Sequence, residues 1–179
     1  MNDKVFICSL KGWKGSGKTT LLCGIASSSP VQPVGAVKIY SGTLNPDGGD
    51  SWRLKQSHAA EVYLIHKDSS ASIASIDALL GQCPGLRRCR MILCEGIILP
   101  GFSSGVLYDK DTVSQGLKEG HHQAGLLIHD GDAETLAFLS RHRNSSQQLV
   151  HRDQLDVIIK HIVRSKPYGS TDGTGLRRQ

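Results

Sequence analysis

The chain has 179 residues, 39% hydrophobic and 21% charged, with a formal net charge of +5. That length suits one domain with a self-sufficient core, and the composition excludes wholesale disorder. No apolar run is long enough to cross a bilayer, and five cysteines with no CxxC pair exclude a disulfide framework and a zinc ribbon.

Residues 1–4 run straight into an apolar segment, so no signal peptide is expected, and the unpaired thiols point to a reducing, cytoplasmic setting. Residues 4–10 (KVFICSL) read as a buried strand, and a glycine-rich turn follows. Residues 18–26 (KTTLLCGIA) read as a helix stopped by SSSP, and residues 34–39 (VGAVKI) as a second buried strand. Residues 41–49 carry strong turn chemistry. They lead into a helix over 50–58, which Asp50 or Ser51 is expected to cap. A strand over 61–65 comes next. Ile73, Ile76, Leu79 and Leu80 then have helical spacing, and MILC at 91–94 is a buried strand running into Glu95-Gly96. Further strands are expected at 105–108, 124–128 and 148–150, and helices at 111–118, 132–140 and 153–163. From residue 166 the apolar periodicity stops, so 166–179 reads as a disordered tail behind a single domain of residues 1–165. Strands alternating with helices predict an α/β fold, a three-layer, doubly wound, mostly parallel sheet.

The chemistry begins at Gly12-x-x-x-x-Gly17-Lys18-Thr19. Glycines let the backbone curl so that N–H groups converge on phosphate oxygens, and the following helix adds its positive dipole end. Gly12, Gly15, Ser16, Gly17, Lys18, Thr19 and Thr20 are the expected nucleotide-binding residues. Lys18 is placed on the β- and γ-phosphates, and Thr19 on Mg²⁺. Glu95, closing a buried strand, is a candidate for the metal shell or for polarising the attacking water. Asp50 is a third candidate, either as a metal ligand carried by a loop or as a plain helix cap. His129 and Asp130 follow a strand end where a base could be read, although no NKxD motif is present and a turn with a cap at Asp132 explains the same residues. His121-His122 lie in an expected loop without ligand spacing. The basic residues are dispersed, without interleaved aromatics, so neither a nucleic acid nor a membrane is an expected partner.

With these pieces together, the sequence resembles the molybdopterin-guanine dinucleotide biosynthesis protein B family. GWKGSGKTTLL, VGAVK, GGDSWRLKQSHAAEVYLI and MILCEG carry the resemblance, over roughly the first 96 residues. It implies the P-loop NTPase fold, binding of Mg²⁺ and GTP (ATP remaining open), weak GTP hydrolysis and a homodimer. It also implies an adaptor role beside the guanylyltransferase of molybdenum cofactor synthesis, with a molybdopterin cofactor as a further ligand. In that reading Asp50 and Glu95 complete the metal and water shell. Where the family has histidines after the lysine of the second strand, Lys38 is followed here by Ile39-Tyr40. Trp13 follows Gly12, in the place where the lysine-signature ATPases carry a lysine. Two other readings of the residues stay open: a small-molecule or nucleotide kinase using ATP, and a nucleotide-dependent sensor of a partner protein.

Overall fold

The computed structural model describes residues 4–42, 49–70, 73–113 and 124–169. Seven strands form one sheet: β1 (Phe6–Gly12), β2 (Val34–Tyr40), β3 (Glu61–His66), β4 (Met91–Glu95), β5 (Ser103–Tyr108), β6 (Leu126–His129) and β7 (Gln148–His151). Their order is β3-β2-β4-β1-β5-β6-β7, and every neighbouring pair is parallel. The helices are α1 (Lys18–Ser28), α2 (Asp50–Gln56), α3 (Lys67–Ser70), α4 (Ile76–Gln82), α5 (Lys110–Val113), α6 (Ala133–His142) and α7 (Leu155–Arg164), with a 3₁₀ turn over Pro84–Arg88. This is the three-layer, doubly wound architecture expected from the alternation of strands and helices.

The period of two along each strand sorts the core into two faces. Cys8, Leu10, Ala36, Leu93 and Leu107 point to one face and are covered by α1, α2 and α7. Ile7, Val37, Ile92 and Cys94 point to the other, under α4 and the 3₁₀ turn, and the α6 residue Leu139 packs there on Val106, Tyr108 and Leu127. From β1, the chain steps toward β3 through α1 and α2 on the first face. It returns toward β7 through α4 and α6 on the second. Right-handed crossovers require that change of face when the direction reverses. The reversal leaves the carboxyl ends of β1, β2 and β4 open beneath the glycine-rich loop, where ligands of doubly wound sheets sit.

The start of β5 and the cap of α2 differ from expectation, each for a physical reason. β5 begins at Ser103, before the expected residue 105. Ser103 and Ser104 break the apolar pattern, but they pair with Cys8 and Ser9 of β1 and are buried. Asp50 does not cap α2; Gly49 holds the cap position without a side-chain bond, and Asp50 is the first helical residue. The expected helix over 111–118 is described only as α5, its remainder and His121-His122 lying outside the described residues. The segment expected as a tail is described to Gly169. Its Tyr168 N–H donates to the Val5 carbonyl at 2.8 Å, and its phenol donates to Asp77 at 2.5 Å. Residues 170–179 lie outside the described residues. Among the described residues no helix is long and apolar enough to cross a membrane.

Gly35 of β2 marks how closely the second face is packed. A Cβ there would stand 2.5 Å from Leu86 Cδ2 and 2.9 Å from Cys89 Sγ. Gly35→Ala is therefore expected to lose about 1–3 kcal/mol through overpacking, read by urea denaturation.

Candidate functional site

β1 ends in the loop, and the loop geometry explains its glycines. Gly12 has φ +151°, and a Cβ on it would meet the Leu107 carbonyl oxygen at 2.8 Å and Ser16 Oγ at 2.9 Å. Gly17 takes the left-handed conformation, φ 86°, at the cap position of α1. The carbonyl of Trp13 organises the turn between them. It accepts from the Ser16 N–H at 3.3 Å, from Ser16 Oγ at 2.9 Å and from the Lys18 ammonium. The Trp13 ring in turn rests on Tyr108 of β5, with centroids 5.3 Å apart. Burial lowers the pKa of Lys18, an effect that the nearby Glu95 carboxylate opposes.

Beneath the loop, strand register assembles a charged cluster. Lys38 of β2 is the direct parallel partner of Glu95 in β4, and Glu95 is also the partner of Leu10 in β1. Lys38 and Glu95 follow Ala36 and Leu93 by two residues, so both side chains emerge on the α1 face. Thr19, in the first turn of α1, donates to Glu95 Oε2 at 2.8 Å. The Lys38 ammonium donates to Glu95 Oε1 at 2.9 Å, to Thr19 Oγ1 at 2.9 Å and to Asp50 Oδ2 at 2.6 Å. The bond from Lys38 holds the Asp50 carboxyl below the usual carboxylate range. Arg53, one turn along α2, donates to Thr20 Oγ1 at 3.0 Å.

Lys18, Thr19, Asp50 and Glu95, expected together from the sequence, thus converge on one end of the sheet. Thr19, Asp50 and Glu95 present one hydroxyl and two carboxylates, an all-oxygen donor set. This fits Mg²⁺, which takes one or two carboxylates and leaves its other positions to water and phosphate. These residues would hold the ion, which when bound would supply charge neutralisation on the phosphates.

His129 and Asp130 stand elsewhere, at the end of β6, separated from β1 by β5. Asp130 Oδ1 accepts from the Asp132 N–H at 3.1 Å, and Asp132 caps α6 by accepting from the Thr135 N–H at 2.9 Å. Both carboxylates are therefore engaged in the turn and the cap. His129 Nδ1 accepts from the Gly131 N–H at 3.0 Å, and its ring meets His151 edge-on at 5.3 Å. Burial, with His151 adding to it, lowers the His129 pKa, and burial lowers that of His161 in α7. A histidine with a depressed folded pKa contributes stability above its unfolded value, near 6.5, and loses it as pH falls through the folded value. Urea midpoints are accordingly expected to fall between pH 7.5 and pH 5, and a His129→Asn/His161→Gln variant to show a flatter profile.

Three residues at the site escaped the sequence reading. Lys38 lay inside an apolar strand, where a charge is itself a signal, since lysine is almost never buried unpaired. Arg53 shares the α2 turn with Asp50. Arg152, just after β7, brings its guanidinium to the loop, with Nη1 3.6 Å from the position of a Cβ on Gly17. No periodicity in the sequence signals Arg152.

A parallel, doubly wound sheet whose first strand opens into Gly-x-x-x-x-Gly-Lys-Thr, beside a strand ending in a carboxylate, defines the P-loop NTPase architecture. Solved structures agree. The chain is similar to the hydrogenase maturation factor HypB from Archaeoglobus fulgidus, with TM-score 0.59, 15% identity and 90% of each chain covered. It is similar to HypB from Helicobacter pylori, solved in complex with nickel, with TM-score 0.63, 13% identity, and 95% of this chain and 93% of that one covered. It is similar to MobB from Bacillus subtilis, with TM-score 0.53, 17% identity, and 92% of this chain and 99% of that one covered. At these identities the likeness establishes the fold. No protein-family model matches the chain, and no curated protein matches it.

Proposed function

We propose that the chain binds a nucleoside triphosphate with Mg²⁺, GTP in preference to ATP, and hydrolyses it slowly. We further propose that it acts as a homodimeric adaptor beside the guanylyltransferase of molybdenum cofactor synthesis. One observation carries the nucleotide reading: Lys18, Thr19, Asp50 and Glu95 meet at the carboxyl end of the sheet under a phosphate-type loop. Lys18 and the loop N–H groups would take the phosphates, and Thr19, Asp50 and Glu95 the metal shell. Arg53 and Arg152 add positive charge at the rim. The adaptor role rests on the sequence resemblance, and full-length similarity in fold to MobB supports it. His129 and Asp130, at the end of β6, are the proposed base-reading residues, Asp130 through Oδ2, since its Oδ1 is engaged in the turn.

A kinase would place arginines over the transferred phosphate. Arg87 and Arg88, on the 3₁₀ turn, and Arg90, just before β4, lie at the opposite end of that strand from Glu95. That placement ranks the kinase second. The deciding experiment is displacement of one fluorescent GTP analogue by GTP, ATP and GDP, with and without Mg²⁺, alongside a phosphate-release assay. Mg²⁺-dependent displacement by GTP ahead of ATP, with slow release, is expected. No displacement by any nucleotide overturns the proposal.

A further inference from the structure

Lys38 stands at the centre of the three oxygen groups offered to the metal. Its ammonium group has three hydrogens, and Glu95, Thr19 and Asp50 take one each, at 2.9, 2.9 and 2.6 Å. Its side chain is 13% exposed and that of Glu95 is 7%, so the inner part of this pairing is largely shielded from solvent. Two lysines, Lys18 and Lys38, stand against two carboxylates, Asp50 and Glu95. Both carboxylates already face cationic side chains, Arg53 also standing 4.0 Å from Asp50 Oδ1.

A divalent cation can use those oxygens only if the ammonium leaves them. The Lys38 backbone is fixed in the sheet between β3 and β4, so its charge can swing on its flexible stem but cannot withdraw far. Bringing a doubly charged ion into that space leaves two cations in close repulsion. A phosphate chain on the loop changes the balance, because anionic oxygens accept charge-assisted hydrogen bonds from an ammonium group.

We propose that Lys38 is a resident counter-cation, closing the Thr19–Asp50–Glu95 oxygens to a divalent ion until the phosphates of a bound nucleotide receive its ammonium group. Lys38 is then a positioning residue that makes metal entry conditional on nucleotide. The inference deepens the nucleotide-and-metal reading of this site and rests on it.

The test uses Mn²⁺ as the probe, read by electron paramagnetic resonance on the nucleotide-free full chain. Lys38→Met and Lys38→Gln are expected to bind Mn²⁺ at least about tenfold more tightly than the wild type, because the competing charge is gone. Mn²⁺ should also raise the melting temperature of both variants and leave that of the wild type unchanged. Equal Mn²⁺ affinity in variants and wild type overturns the inference. If the variants misfold, the wild-type chain decides through the protection of Lys38 from acetic anhydride, read by peptide mass spectrometry. Mg²⁺ alone should leave Lys38 protected, and exposure by Mg²⁺ alone overturns the inference. The two proposals fail separately. A wild-type chain that binds no nucleotide sinks the functional reading, whereas nucleotide binding with unchanged Mn²⁺ affinity in the variants sinks only the role of Lys38.

Discussion

Lys18→Ala is expected to lower nucleoside triphosphate affinity by at least about 100-fold, or about 2.7 kcal/mol, while leaving the fold intact. The ammonium is held in the loop by the Trp13 carbonyl, and burial has already lowered its pKa by removing water from it. A partly desolvated ammonium recovers most by meeting an anion, and hydrogen bonds to charged groups contribute about 1.5–3 kcal/mol each. The loss should be larger for the triphosphate than for the diphosphate, since this side chain is placed on the β- and γ-phosphates. Stability should change little, because the variant gives up one neutral acceptor, worth about 1 kcal/mol. Equilibrium titration with fluorescent GTP and GDP analogues, beside a thermal melt, checks both halves. Unchanged affinity in a folded variant would remove Lys18 from the phosphate site.

Much of the fold was legible because it rests on local rules. Val34, Ala36, Met91 and Leu93 lie in short continuous apolar runs, which is how strands buried on both faces read. Glycines at positions 12 and 17 announce a backbone that side chains would obstruct or strain. The start of β5 was not legible, since Ser103 and Ser104 are buried by their neighbours and not by their own chemistry. α2 starts at Asp50, as expected, but its cap is Gly49; an aspartate after glycines only looks like a cap. Here tertiary pairing with Lys38 engages Asp50 instead.

The site was legible in its parts more than in its assembly. Thr19 and Glu95 were expected in one shell, and they share a hydrogen bond. Lys38 became visible as chemistry only through register: β4 inserts between β1 and β2, which sets Lys38 opposite Glu95. Nothing local in VGAVKI says which strand will lie beside it. Arg152 is a similar case, because the return of α7 to the α1 face brings the end of β7 toward the loop.

Glu95→Ala is expected to destabilise the protein by about 3 kcal/mol, since it removes the buried partner of Lys38 and leaves the ammonium only a half-exposed one. Lys38 would keep Asp50, whose side chain is 49% exposed, and Thr19 would lose its acceptor in the interior. The double variant Lys38→Met/Glu95→Leu should recover most of that loss, because apolar groups of similar volume replace a buried pair at little or no cost. The four-membered cycle, measured by urea denaturation at pH 7, should therefore show a coupling of at least about 1.5 kcal/mol. Additive single effects would mean that the pair is energetically inert. The same double variant should bind nucleotide with a weaker dependence on Mg²⁺, having lost one carboxylate of the metal shell while Thr19 and Asp50 remain. Stability regained alongside weakened Mg²⁺ dependence would mean that the ion pair serves the site and not the fold. Unchanged Mg²⁺ dependence would take Glu95 out of the shell.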